Sequence, residues 1–127
     1  MNIFHIIKNF FITKRYLYLL PRKIRLKLFN LKKLKLYKTK TGNYYLPQFA
    51  LKDLIRNEII DNKIFDKKVY ETAVKYVKDD TIVLDVGSNF GQLSVLLSKC
   101  KNNVEVYSFE ASKYIFEILK KNKLISS

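Results

Sequence analysis

Asp85, Gly87, Asn89, Gly91 and Glu110 are the residues whose types and spacing suit chemistry. Four of them fall in Asp85-Val86-Gly87-Ser88-Asn89-Phe90-Gly91, and Glu110 lies 19 residues after Gly91. Two of the three glycines of the chain are in that loop. Glycine puts no side chain in the path of a ligand approaching the backbone. Amides at the start of a following helix can face a polar ligand. An acid at the end of the next strand can take both hydroxyls of a ribose. The pattern therefore suits a ligand that carries a nucleoside.

The flanking segments read as the elements needed to hold such a loop. Thr81 to Val86 is a nearly continuous apolar run, which fits a strand covered on both faces in a parallel sheet. Residues 92–99 read as a helix with an apolar face, and Val104 to Phe109 as a second strand. A last helix begins near Ser112 or Lys113, with Tyr114, Ile115, Ile118 and Leu119 inward. The order is strand, glycine loop, helix, strand, acid, helix. That is a βαβ unit with one more helix.

Two ligands compete for this geometry. A dinucleotide loop favours three glycines beneath a pyrophosphate. Here Asn89 and Phe90 leave less room, and an acid stands two residues before the first glycine. The acid fits S-adenosylmethionine better, because that molecule has no phosphate and carries a sulfonium and an ammonium. The plainer alternative makes Asp85 a loop cap and Glu110 a surface acid.

Upstream, residues 67–78 read as a helix with Val69, Tyr70, Ala73, Val74 and Val77 on one side and Asp66 as its N-cap. From Ala50 another helical pattern puts Leu51, Leu54, Ile55 and Ile59 on one face. Leu34 to Lys38 alternates, Thr41-Gly42-Asn43 supplies turn residues, and Tyr44-Tyr45-Leu46 favours a strand. A β-hairpin centred on Gly42 is expected. Earlier still, Lys23 to Leu28 alternates like a strand, and Pro21 ends a helical stretch whose apolar face is Ile3, Ile6, Ile7, Phe10 and Phe11.

Charge divides the chain. Residues 1–52 carry 13 basic side chains and no acid, out of 25 Lys/Arg and 11 Asp/Glu in the 127-residue whole. A basic amphipathic start suits an anionic membrane surface, with a cytoplasmic protein lying peripherally at the inner face. Nucleic acid is disfavoured as a partner, since no recognition motif accompanies the lysines and edge strands commonly carry them. Lys8, Lys14 and Arg15 interrupt what would otherwise resemble a signal peptide. The 48% apolar content allows a core. Cys100, the one cysteine, excludes an internal disulfide and a clustered Cys/His metal site. It reads as an apolar packing residue, and His5 receives no catalytic role.

Asp-Val-Gly-Ser-Asn-Phe-Gly at 85–91, with Tyr-Ser-Phe-Glu at 107–110, resembles the FkbM-type methyltransferases. Asn62-Lys63-Ile64-Phe65-Asp66 is similar to that family as well, and the likeness spans roughly residues 40–122. Ser88 replaces an alanine of the family pattern, and Ala111 stands where a proline usually follows the acid. The resemblance implies an α/β, class I Rossmann-like fold and methyl transfer from S-adenosylmethionine, commonly to a hydroxyl. Asp85, Gly87 and Gly91 would then line the methionine end, Asn89 would complete the loop, and Glu110 would hold the ribose. The acceptor, a saccharide or other hydroxyl compound, and the catalytic residues are not specified by it. It also implies a seven-stranded sheet, of which only the first two strands are legible. The expected organisation is a basic segment over 1–39 and an incomplete, inactive Rossmann-like domain over 40–127. The alternative is a non-catalytic module that binds a membrane surface or a partner through its basic N-terminus.

Overall fold

In a computed structural model, residues 33–126 are described. The expected helix at 3–11 and strand at 23–28 lie outside them. Eight elements follow in order: β1 (Leu34–Thr39), β2 (Gly42–Pro47), α1 (Leu54–Ile60), α2 (Lys67–Tyr76), β3 (Ile82–Val86), α3 (Gln92–Ser98), β4 (Glu105–Phe109) and α4 (Lys113–Ser126). The described part is thus mixed α/β, with two separate two-stranded sheets.

The hairpin forms as its turn residues dictate, with Thr39 opposite Gly42 and Leu34 opposite Pro47. The expected boundary at residue 39 falls in this turn, so β1 shares a sheet with β2. Asn122 bonds the free edge of β2 at Tyr45. Its Oδ1 accepts from Tyr45 N at 2.6 Å, and its Nδ2 donates to Tyr45 O at 3.2 Å and Phe90 O at 2.9 Å. One fully buried amide on α4 therefore does at Tyr45 what a neighbouring strand would do. Tyr44, Leu46, Ile59, Phe90, Val95 and Ile118 form the core between the hairpin, α1, α3 and α4.

β3 and β4 pair in parallel, with Asp85 opposite Ser108 and Val86 opposite Phe109, and α3 connects them. Val83 and Val106 face a second cluster around Val77, Leu97 and Val104, where half-buried Cys100 also packs. The other face is bare. Ile82, Leu84, Val86, Tyr107 and Phe109 are all at least half exposed. The apolar run at 81–86 was expected to be covered on both faces, but no described element lies over this one.

Further expectations change. Leu51 precedes α1 and Leu54 is 73% exposed, because the short helix turns Ile55, Arg56 and Ile59 inward instead. Asp66 does not cap α2 with its carboxylate. It adopts φ 51°, and its carbonyl accepts from Val69 and Tyr70. α2 ends at Tyr76, with Val77 extended and buried, while Val69 on its first turn is exposed. Tyr114 is 40% exposed, whereas Ile118 and Leu119 carry the inward face of α4. α4 runs on to Ser126.

Candidate functional site

The loop after β3 is held by its own hydrogen bonds. Gly87 N and Ser88 N both donate to Phe109 O, at 2.9 and 3.0 Å. Asn89 N donates to Glu110 Oε2 at 3.0 Å, Phe90 N to Asn89 Oδ1 at 2.8 Å, and Gly91 N to Ser88 O at 2.8 Å. Ser88 Oγ donates to Asp85 O at 2.7 Å, which tightens the turn. All five amides from Gly87 to Gly91 are therefore engaged within the chain. The amides expected to face a ligand are those at the start of α3, from Gln92 on, beyond this run. A phosphate cradle needs such donors turned outward.

The two loop glycines have different reasons to be glycine. Both have a left-handed φ, 83° at Gly87 and 86° at Gly91. A Cβ on Gly87 would meet nothing within 4 Å, so the backbone there is open to an approaching molecule. A Cβ on Gly91 would lie 2.6 Å from Leu119 Cδ1, and both residues are buried. Gly91 thus serves the packing of the loop on α4, not ligand access. Asn89, at φ 49°, belongs to a residue type that tolerates this region.

Glu110 ties two turns together. Its Oε2 holds Asn89 N and its Oε1 accepts from Ser112 N at 2.7 Å, just before α4. Each carboxylate oxygen keeps a second lone pair, so this does not exhaust its acceptor capacity.

Asp85 is 8% exposed and faces α3. Its Oδ2 accepts from Ser94 Oγ, and Ser94 Oγ lies 2.7 Å from Ser108 Oγ. Among the described residues, Oδ1 has no hydrogen-bond partner. Asp85 also lines a cavity of about 160 Å³, together with Phe65, Asp66, Val69, Gly87 and Asn89 among others. The lining holds two acids and no Lys or Arg. Gly91 and Glu110 are not in the lining. The five expected residues thus sit on one loop system, but only Asp85, Gly87 and Asn89 face the cavity.

Gln92 fixes the far wall. Its Oε1 accepts from Phe65 N at 2.9 Å, and its Nε2 donates to Lys63 O at 2.8 Å and Thr41 Oγ1 at 3.2 Å. One buried amide so joins the hairpin turn and the segment before α2 to the loop. Ser94, Ser108, Gln92 and the α2 wall were not singled out from sequence. Ser108 had a signal, since the parallel register puts it opposite Asp85 on the inward side of β4.

Among the described residues, no helix is long and apolar enough to cross a membrane, and no three His, Cys, Asp or Glu side chains form a metal-binding group. No family model matches the sequence, and neither a curated protein nor a solved structure shows significant similarity to it.

Proposed function

We propose that the β3–α3 loop and Glu110 bind S-adenosylmethionine, and that the chain belongs to an O-methyltransferase built on a partial class I Rossmann-like fold. The observation that carries this reading is the chemistry of the cavity wall. Asp66 and Asp85 line it, no cationic side chain does, and the loop offers no free amide between Gly87 and Gly91. Such a wall repels a pyrophosphate and suits a cation. The donor has an ammonium and a sulfonium and no phosphate, so the residues fit it better than they fit a dinucleotide.

At about 160 Å³ the cavity is smaller than the roughly 300 Å³ at which drug-sized pockets begin. It matches the amino-acid end alone. In this reading Asp85 takes the ammonium, the open backbone at Gly87 gives passage, and the nucleoside lies outward toward Glu110. The second lone pairs of Glu110 accept from the ribose hydroxyls. When bound, the donor supplies an electrophilic methyl group on a positively charged sulfur. The chain's own residues orient it, so that an acceptor hydroxyl of a saccharide or similar compound can approach in line. No described residue is assigned as the base.

Calorimetric titration of the full chain with S-adenosylmethionine tests this. Saturable binding should weaken by about 1–3 kcal/mol in Glu110→Ala, the usual loss for hydrogen bonds to a charged group. Unchanged affinity in that variant removes the ribose assignment.

A second reading rests on the 13 basic residues before Asp53. In it the chain is a non-catalytic module on an anionic surface, such as the cytoplasmic membrane face. Lys33, Lys35, Lys38 and Lys40 are exposed on and beside β1. Each such residue contributes about 1 kcal/mol near an anionic membrane, fading with salt. Co-sedimentation with phosphatidylserine vesicles at low salt, and not with neutral ones, supports it; equal binding to both overturns it.

A further inference from the structure

Two serines sit behind Asp85 with no part in the ligand contacts assigned above. Ser94 is 2% exposed, on the inner face of α3, and Ser108 lies on β4 opposite Asp85. A hydroxyl carries one proton. Ser94 gives its proton to Asp85 Oδ2, so at 2.7 Å it must accept from Ser108. The bonds run one way, from Ser108 to Ser94 to Asp85. They fix one oxygen of a carboxylate that is almost wholly buried; the other has no hydrogen-bond partner among the described residues, and Asp85 is one of the residues that line the cavity.

Burying the polar side chains of Asp85 and Ser94, with Ser108 half-buried beside them, is costly unless the arrangement is satisfied. Val83 and Val106, on the same face of the pair as Asp85 and Ser108, pack in an apolar cluster with Leu93 and Leu97, so a purely structural core had apolar solutions available. Two serines instead hold one carboxylate by one edge.

We propose that Ser94 and Ser108 are positioning residues that present Asp85 Oδ1 to the α-ammonium of the donor's amino-acid end. This rests on the S-adenosylmethionine reading of the site. The two serines touch no ligand atom themselves. Their contribution is to stop the carboxylate from rotating, so that its free oxygen faces the cavity when the cation arrives.

The test compares two probes on the full chain: S-adenosylhomocysteine, which carries the amino-acid end, and 5′-methylthioadenosine, which lacks it. Wild type should bind both, the first more tightly. Ser94→Ala should lose about tenfold on S-adenosylhomocysteine, within the range of a hydrogen bond to a charged group. It should bind methylthioadenosine as wild type does, which also shows that the variant folds. Ser108→Ala should fall in the same direction by less, and Ser108→Thr, which keeps the hydroxyl on a strand, should restore the wild-type ratio of the two affinities. Equal losses on both probes, or no loss on either, overturn the proposal while leaving the site reading intact. Wild type that binds neither probe overturns the site reading, and this proposal with it.

Discussion

The two faces of the β3–β4 pair invert the usual order of burial. On the face toward α3, the polar side chains Asp85 and Ser108 are turned inward with Val83 and Val106. On the opposite face, Ile82, Leu84, Val86, Tyr107 and Phe109 meet solvent. Parallel sheets are normally covered on both sides. An exposed apolar patch of this kind marks an interaction surface or an association hazard. The cavity is lined mainly by the loop and by residues of α1, α2, α3 and the segment before α2, with Val86 alone of the bare-face residues named above among them. Order at the candidate site therefore comes from one side only, from α2, α3 and the amides of Gln92 and Asn122.

The sharpest contrast is in packing energy. Phe90, 1% exposed among the hairpin, α3 and α4, should lose about 3–5 kcal/mol of stability as Phe90→Ala in a urea titration. A loss below 1 kcal/mol would mean that the covered side is not a packed core.

The loop glycines give the next largest difference. Gly87→Ala should cost only the left-handed backbone, about 1–2 kcal/mol. Gly91→Ala should cost about 1–3 kcal/mol more, because its Cβ must displace buried Leu119. Equal thermal shifts for the two would contradict the separate roles given to them.

Alkaline pH probes the hairpin side. Burial pushes the Tyr44 phenol above its ordinary value of 10.0, and the hydrogen bond to Thr41 only partly offsets this. The unfolded chain therefore loses that proton first. The associated stability is present below pH 10 and declines as pH rises through the folded value. Tyr44→Phe should flatten the decline, leaving a part from Tyr114, whose phenol partial burial also raises. An unchanged slope would place the Tyr44 hydroxyl in contact with water.

The smallest effect belongs to the bare face. Leu84, 64% exposed, should change stability by no more than about 0.5 kcal/mol as Leu84→Thr. A loss above 2 kcal/mol would show that something covers that face.

The elements around the loop were readable because each is local. Thr41-Gly42-Asn43 specifies a turn, and the alternation on either side specifies strands. The apolar blocks at 82–86 and 105–109 specify strands flanking a short helix. The faces were not readable in the same way. Leu84 and Val83 are alike as residues, yet one is exposed and the other packed, and only the placement of α2 and α3 decides which. Five candidate residues were legible as a cluster from glycine and acid spacing. That Gly91 packs on Leu119, and that Glu110 engages two backbone amides, depends on where α4 lies. Asp66 differs for a related reason: its residue type suits capping, but its backbone is left-handed and its side chain makes no cap hydrogen bond.

The central claim is that the loop from Asp85 to Gly91, with Glu110, receives the adenosyl donor on the covered side. Amide NMR of the labelled full chain, titrated with S-adenosylhomocysteine, addresses it directly. The account predicts saturable shifts concentrated at Gly87, Ser88, Asn89, Glu110 and Ser112, with the amides of Leu84 and Tyr107 less affected. No shifts at saturating ligand, or shifts gathered at Ile82, Leu84 and Tyr107 with the loop unchanged, would contradict it.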